Sequence, residues 1–451
     1  MKKFVFMKEK YSILLPVLVV MTSLLSACSP GLNQKTGKTE ILKWKDGKRS
    51  AISLTYDDGS INQFRVALPL MEEKGFPGTF FINTGHIPGS EFKARFIGRP
   101  FEEIIKETAV VATNPDNLFE RASAVGYLGY RGLMDYHTRA GASVDAGNME
   151  RACEIIDEAY AKVRAGNVQK IPADDRYFGT DRLTWDEIRK FASWGHEFAS
   201  HTISHPRLAI LDEVNMLWEL EKCKEDIYRQ LGPEHTFSCE CPYGTENERV
   251  MEYALEIYAA LRNRMPEVYL AELNRGSRVH PAEADKPYVQ WQRGPLSDTP
   301  LHRMKSWIDT CLVYNDIWLV LVFHGVDGVG WEAISGDTLD NFFSYIKANE
   351  DELWVATFQD VTKYMRERMN SVVKTSRDRD QIQVNLSQNL DPRLYNLALT
   401  LKTDLPDRWK EISISQNGLD LDYEIISEKQ GKSVMYPALP GVNPVIIRSA
   451  K

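Results

Sequence analysis

Two stretches of the chain bring together side chains suited to proton transfer and metal binding. In 51–60, A-I-S-L-T-Y-D-D-G-S, a run of β-forming residues stops at two adjacent carboxylates, Asp57 and Asp58, followed by Gly59. The strand predicted there delivers both acids to its own end, where a turn lets them converge on one cleft; a solvated turn closing a strand is the alternative. In 196–208, H-E-F-A-S-H-T-I-S-H-P-R-L, His201 and His205 stand four residues apart. That spacing puts two imidazoles on one side of a helical turn, close enough to share a borderline metal through neutral nitrogens. A third histidine, His324, ends the apolar strand predicted over 315–323.

These residues need a scaffold that brings strand ends together. After the acid-bearing strand, 64–74 carries Val66, Leu68, Leu70 and Met71 before Gly75, a short helix with a glycine stop. The run G-T-F-F-I at 78–82 suits a strand buried on both faces of a parallel sheet, which completes a βαβ unit. T-W-D-E at 184–187 is a capping box that opens a helix leading into the histidine segment. Alternating strands and helices with acids and histidines at strand ends predict a barrel-like α/β fold with its chemistry at the carboxyl ends of the strands.

The motifs T-Y-D-D-G (55–59), H-T-I-S-H (201–205), C-P-Y-G (241–244) and L-V-F-H-G (321–325) stand in the order seen in polysaccharide deacetylases, carbohydrate esterase family 4, the NodB-homology domain, and the chain resembles that family over 43–368. The resemblance implies a distorted (β/α)7-type barrel. It also implies a divalent metal, most simply zinc, on Asp58, His201 and His205, with Asp57 as general base. The backbone N–H of Tyr243 would stabilise the oxyanion and His324 would be the acid for the leaving group. Glu240 departs from the pattern, standing where many members have an arginine that steadies the base; that role is absent or supplied elsewhere, with Arg262 and Arg264 as candidates. Trp291 and Trp307 are candidates for the wall of an acetyl pocket and could equally be core.

The expected domains are a lipoprotein signal peptide (1–27), a lipidated Cys28 with a flexible tether (28–42), the barrel (43–370) with an insertion at about 85–181, and a separately folded β-sandwich (371–451). L-S-A-C at 25–28, after a lysine-rich start and a short apolar run, resembles a bacterial lipobox. It implies a membrane link through Cys28 and, with Ser29 following, an outer-membrane address. The insertion, with helices predicted over 101–111 and 148–164, either shapes the binding site or decorates the surface. The sandwich is read from strict alternation at Ile382, Val384 and Leu386, at Leu397, Leu399 and Leu401, and at Ile412 and Ile414.

The formal charge of −8 over 451 residues argues against nucleic acid or an anionic surface as the main partner. The five cysteines after Cys28 are an odd set without C-x2-C spacing and read as buried small hydrophobes. The leading expectation is metal-dependent removal of N- or O-linked acetyl groups from a polysaccharide. A glycan-binding protein with a degenerate barrel, or a metal-dependent amidohydrolase acting on a small amide, are the alternatives.

Overall fold

A computed structural model describes residues 37–171, 181–429 and 431–449. Cys28 and the signal segment lie outside the described residues. The central sheet uses β2 (Ser50–Tyr56), β3 (Gly78–Ile82), β4 (Glu197–Ser200), β5 (Ser238–Cys239), β6 (Ala260–Leu261), β7 (Leu270–Leu273), β8 (Tyr288–Arg293), β9 (Ile317–Phe323) and β10 (Leu353–Val355). Its order is β6-β5-β4-β3-β2-β9-β8-β7, with β10 pairing alongside the first residues of β2. Every ladder in it is parallel, and none joins β6 to β7 among the described residues. The expected distorted barrel is therefore an open one.

Alternation along the strands divides the core into an outer and an inner layer. Ile52, Leu54 and Tyr56 of β2 face outward with Phe80, Ile82, Leu319, Leu321 and Phe323, under α1 (Leu68–Lys74) and further helices. Ala51, Phe81, Ala199, Trp318, Val320 and Val322 face inward. Phe358, Val361 and Met365 close the base of this inner layer from the helix Phe358–Asn370. The same parity puts the next inward positions, Asp57, His201 and His324, at the upper rim of the interior.

The insertion adds α2 (Phe101–Glu107), α3 (Leu118–Tyr127), α4 (Leu133–Asp145) and α5 (Met149–Arg164). These helices share a core of their own that includes Ile104, Leu118, Val125, Leu133 and Ile156.

Beyond the helix Phe358–Asn370 the chain forms the expected sandwich of two antiparallel sheets, β1-β13-β17-β16 and β11-β12-β18-β14-β15, whose inward residues make one cluster. Here β1 is Thr39–Ile41, and β11 to β18 are Val372–Arg377, Gln381–Ser387, Leu399–Leu405, Ile412–Gln416, Leu419–Asp420, Glu424–Glu428, Gly431–Ala438 and Val445–Ser449. Two features tie this module to the barrel. The last part of the expected tether is β1, which pairs antiparallel with β13 from Thr39↔Thr403 to Ile41↔Leu401. Tyr364, on the helix that closes the barrel, is buried among the sandwich residues, and its hydroxyl donates to the Leu42 carbonyl at 3.1 Å.

Deleting 371–451 would leave β1 unpaired and expose Tyr364, and burial of one large aromatic is worth about 1.5–3 kcal/mol. The truncated protein is therefore expected to be insoluble or to melt at lower temperature. An unchanged unfolding midpoint would show that the module is independent.

Candidate metal and catalytic site

The register of the sheet assembles the site. Tyr56 pairs with Phe323, so Asp57 and His324 are the next residues on neighbouring strands. Ser200 pairs with Cys239 and Cys239 with Leu261, which sets His201, Glu240 and Arg262 in a row. Backbone bonds continue the ladders one step further: Asp57 N–H donates to Phe323 O (3.0 Å), Glu240 N–H to Ser200 O (3.0 Å) and Arg262 N–H to Cys239 O (3.1 Å). Each of these side chains is thus the first residue past the end of its strand. Gln63 fastens the rim, its Nε2 donating to Asp57 O at 2.5 Å and His324 O at 2.7 Å.

Asp58 Oδ1 lies 3.4 Å from His201 Nε2 and 3.2 Å from His205 Nε2. Donors around a tetrahedral ion with bonds of about 2.1 Å stand roughly 3.4 Å apart, so this trio fits a zinc-sized ion. Tautomer supports the fit. His201 Nδ1 faces the Glu240 carbonyl at 2.9 Å and its Oε2 at 2.7 Å, which places the proton on Nδ1 and leaves the Nε2 lone pair for a metal. Burial works against charge here, yet hydrogen bonds from His201 and His205 hold Asp58 well below the usual carboxylate range. Glu240 and Asp58 likewise push His201 well above its ordinary value despite its burial, as expected of a pocket with an excess of anionic oxygen.

The two histidines do not share a helical turn. They belong to a loop after β4 in which Thr202 (φ 68°) and His205 (φ 60°) are left-handed. Asp58 (φ 73°) and Tyr243 (φ 64°) adopt the same region, so four of the eight non-glycine residues with positive φ among the described residues surround this site. Such conformations cost about 1–3 kcal/mol each and persist where the surroundings enforce them.

Asp57 is buried and gripped at both oxygens by Arg262, with Nη1–Oδ1 at 2.5 Å and Nη2–Oδ2 at 2.6 Å. Burial alone would raise its pKa; the Arg262 guanidinium, helped by His324, outweighs that and holds it below the usual range. Arg262 Nη2 also lies 3.1 Å from Glu240 Oε1. The cation that the sequence lacks at position 240 thus arrives from a neighbouring strand, and Glu240 is neutralised by Arg262 and His201. Arg264 turns away and donates to the Glu246 carbonyl at 3.0 Å. His324 Nε2 lies 3.4 Å from Asp57 Oδ2, and burial lowers its proton affinity.

Trp291 and Trp307 are both core residues. The tryptophan at the site is Trp331, whose ring meets His324 edge-on at 4.6 Å. Tyr243 occupies the turn Pro242–Gly244 with its ring 4.7 Å from that of His205.

Sequence reading missed Glu219. It is buried on the helix Glu213–Leu231 and accepts from the backbone N–H of Ile203 and Ser204 (2.9 Å each), from Ser204 Oγ (2.7 Å) and from Tyr127 Oη (2.8 Å). It holds the loop between His201 and His205 and ties that loop to α3. Its only sequence signal is an acid on the buried face of an amphipathic helix, where it would otherwise lack a partner. Glu219→Gln is expected to weaken metal affinity roughly 10- to 100-fold, as loss of a ligand-orienting contact does; metal titration with unchanged affinity would contradict that role.

Residues 45–110 and 144–259 match the sequence model of a family described as polysaccharide deacetylase. The chain is 24% identical over 279 residues to a gellan lyase from Bacillus sp., covering 57% of this chain and 11% of that much longer protein. Among solved structures it is similar to a family 4 carbohydrate esterase from Bacillus anthracis, at 16% identity and TM-score 0.31, covering 73% of this chain and 86% of that one. It is similar also to the Xyl-CE4 domain of a multidomain xylanase from the hindgut metagenome of Trinervitermes trinervoides, at 11% identity and TM-score 0.33, covering 70% and 90%. The two segments that match the polysaccharide deacetylase family carry Asp57, Asp58, His201, His205 and Glu240, while Arg262 and His324 come from the barrel beyond them.

Proposed function

We propose that the protein is a metal-dependent deacetylase that hydrolyses acetyl groups, N-linked on an amino sugar or O-linked on a xylan-like chain, from a polysaccharide. The observation that carries this reading is the unbroken set of contacts from His205 through Asp58 and His201 to Glu240, Arg262, Asp57 and His324. A divalent ion held by Asp58, His201 and His205, most simply zinc, supplies Lewis acidity and lowers the pKa of a water.

The remaining chemistry belongs to the chain. Asp57, kept ionised by Arg262, takes a proton from the attacking water. The Tyr243 N–H provides a donor for the oxygen that gains charge as the carbonyl carbon becomes tetrahedral. His324 gives its proton to the departing amine or alkoxide as the bond to the acyl carbon breaks. The base and acid sit side by side on paired strands, so one proton is accepted and one donated within the same cleft.

We propose separately, from the lipobox-like L-S-A-C at 25–28 followed by Ser29, that lipid on Cys28 anchors the protein in a bacterial cell envelope, with the outer membrane the expected address. Acetate release from a panel of acetylated glycans tests the activity. Release that is abolished by chelator and restored by zinc is the expected result, and no release from any N- or O-acetyl glycan with metal present would refute it.

A further inference from the structure

A cavity of about 900 Å³ opens from Asp58 and His205 and runs beneath α3 and α4 of the insertion. It is far larger than the methyl of an acetyl group requires, and near the upper end of the range that encloses drug-sized ligands. Its apolar lining includes the buried Ile87, Val125 and Leu133 and the partly exposed Met134. Of its polar members, Ser60 Oγ donates to Val329 O (3.0 Å), Asn83 Nδ2 to His201 O (2.5 Å) and Ser204 Oγ to Glu219 (2.7 Å), while His86, Tyr130 and Arg182 also line it. Asp181, also in the lining, is paired with Arg65 at 3.2 Å. Two half-exposed aromatics, Tyr243 (45% exposed) and Trp331 (54%), also belong to the lining and lie against His205 and His324.

A sugar ring pushed against Ile87, Val125 and Leu133 would bury hydroxyls without partners on that side, at about 1–3 kcal/mol each. The aromatic faces of Tyr243 and Trp331 give a ring a better seat near the reacting centre. We infer that the chamber under α3 and α4 takes an apolar arm of the substrate, either an acyl chain longer than acetyl or an apolar aglycone, while the sugar stays beside Tyr243 and Trp331. The family match breaks off at 110 and resumes at 144, so α3 and most of α4, which roof the chamber, lie outside it. The inference rests on the proposed site being the reacting centre, and it makes the substrate a compact, amphipathic glycoconjugate or chain end.

Calorimetric binding to the full protein separates the two sources of the arm and needs no turnover. One pair of ligands is the methyl and hexyl glycosides of N-acetylglucosamine; the other is N-methanesulfonyl- and N-hexanesulfonyl-glucosamine, whose sulfonamide bonds resist hydrolysis. Each buried methylene is worth roughly fourfold in affinity. The hexyl member of at least one pair is therefore expected to bind tenfold or more tightly, and that pair identifies which arm enters. Met134→Lys, at a partly exposed position that tolerates the change in the folded protein, should erase the difference, and Met134→Leu should keep it. Equal binding within both pairs, or no binding of any of the four, would overturn the inference. A retained hexyl preference in a protein that releases no acetate would instead remove the deacetylase reading alone.

Discussion

Arg262→Ala is expected to lose about 3–5 kcal/mol of stability and nearly all activity at neutral pH. The guanidinium is buried, grips both oxygens of Asp57 and touches Glu240, so its removal leaves two buried carboxylates without their cation. With the guanidinium gone, burial is opposed only by the weaker pull of His324 and His201 and raises the Asp57 pKa, so the acid limb of kcat/KM should move to higher pH. The sign for stability follows from the depressed value in the folded protein. The Asp57–Arg262 contribution is fully present above the unfolded carboxylate pKa of about 3.9 and is lost as pH falls through the lower folded value. Adding Glu240→Gln to Arg262→Ala removes one of the stranded charges and should recover part of the stability. Denaturant unfolding of the single and double variants, with pH profiles of each, checks both effects; an Arg262→Ala protein of unchanged stability and acid limb would show that the pair does not set the state of the base.

Asp57→Asn should lower kcat by roughly 10²- to 10⁴-fold, the usual worth of a general base, while leaving the metal in place. Asp57 faces Arg262 and His324, whereas Asp58 faces the two histidines at 3.2–3.4 Å, so the adjacent acids are aimed at different partners. Asp58→Asn should accordingly weaken metal binding first and lose activity as a consequence. Metal titration beside acetate release separates the two. Equal metal loss in both variants would make both acids ligands.

The strand ends were legible because β2 and β9 are long, apolar and bounded by turn residues, and the residues that follow them carry the chemistry. Arg262 was harder to place. It follows a two-residue strand, Ala260–Leu261, whose pairing with Ser238–Cys239 gives no periodic signal. Only the register shows that position 262 stands next to position 240 and so restores the cation missing there. The i, i+4 histidines suggested a helix, but the loop reaches the same convergence through left-handed Thr202 and His205, which no spacing rule reveals. The sandwich was visible in its alternation. Its dependence on β1 was not, because a three-residue strand next to a Gly- and Lys-rich segment looks like tether until its partner, more than 350 residues later, is known. Trp331 escaped notice because it lies in a glycine-rich turn rather than a motif, while Trp291 and Trp307, the better-looking candidates, pack in the core.

Elemental analysis of wild type against His205→Ala tests the central claim most directly, because metal content is independent of which glycan is the substrate. Wild-type protein should carry one divalent ion per chain after dialysis against trace zinc. His205→Ala, which removes a partly exposed ligand that makes no contact with the Arg262–Asp57 pair, should carry none and release no acetate. Full metal retention by His205→Ala would contradict the assignment of Asp58, His201 and His205 as the metal centre.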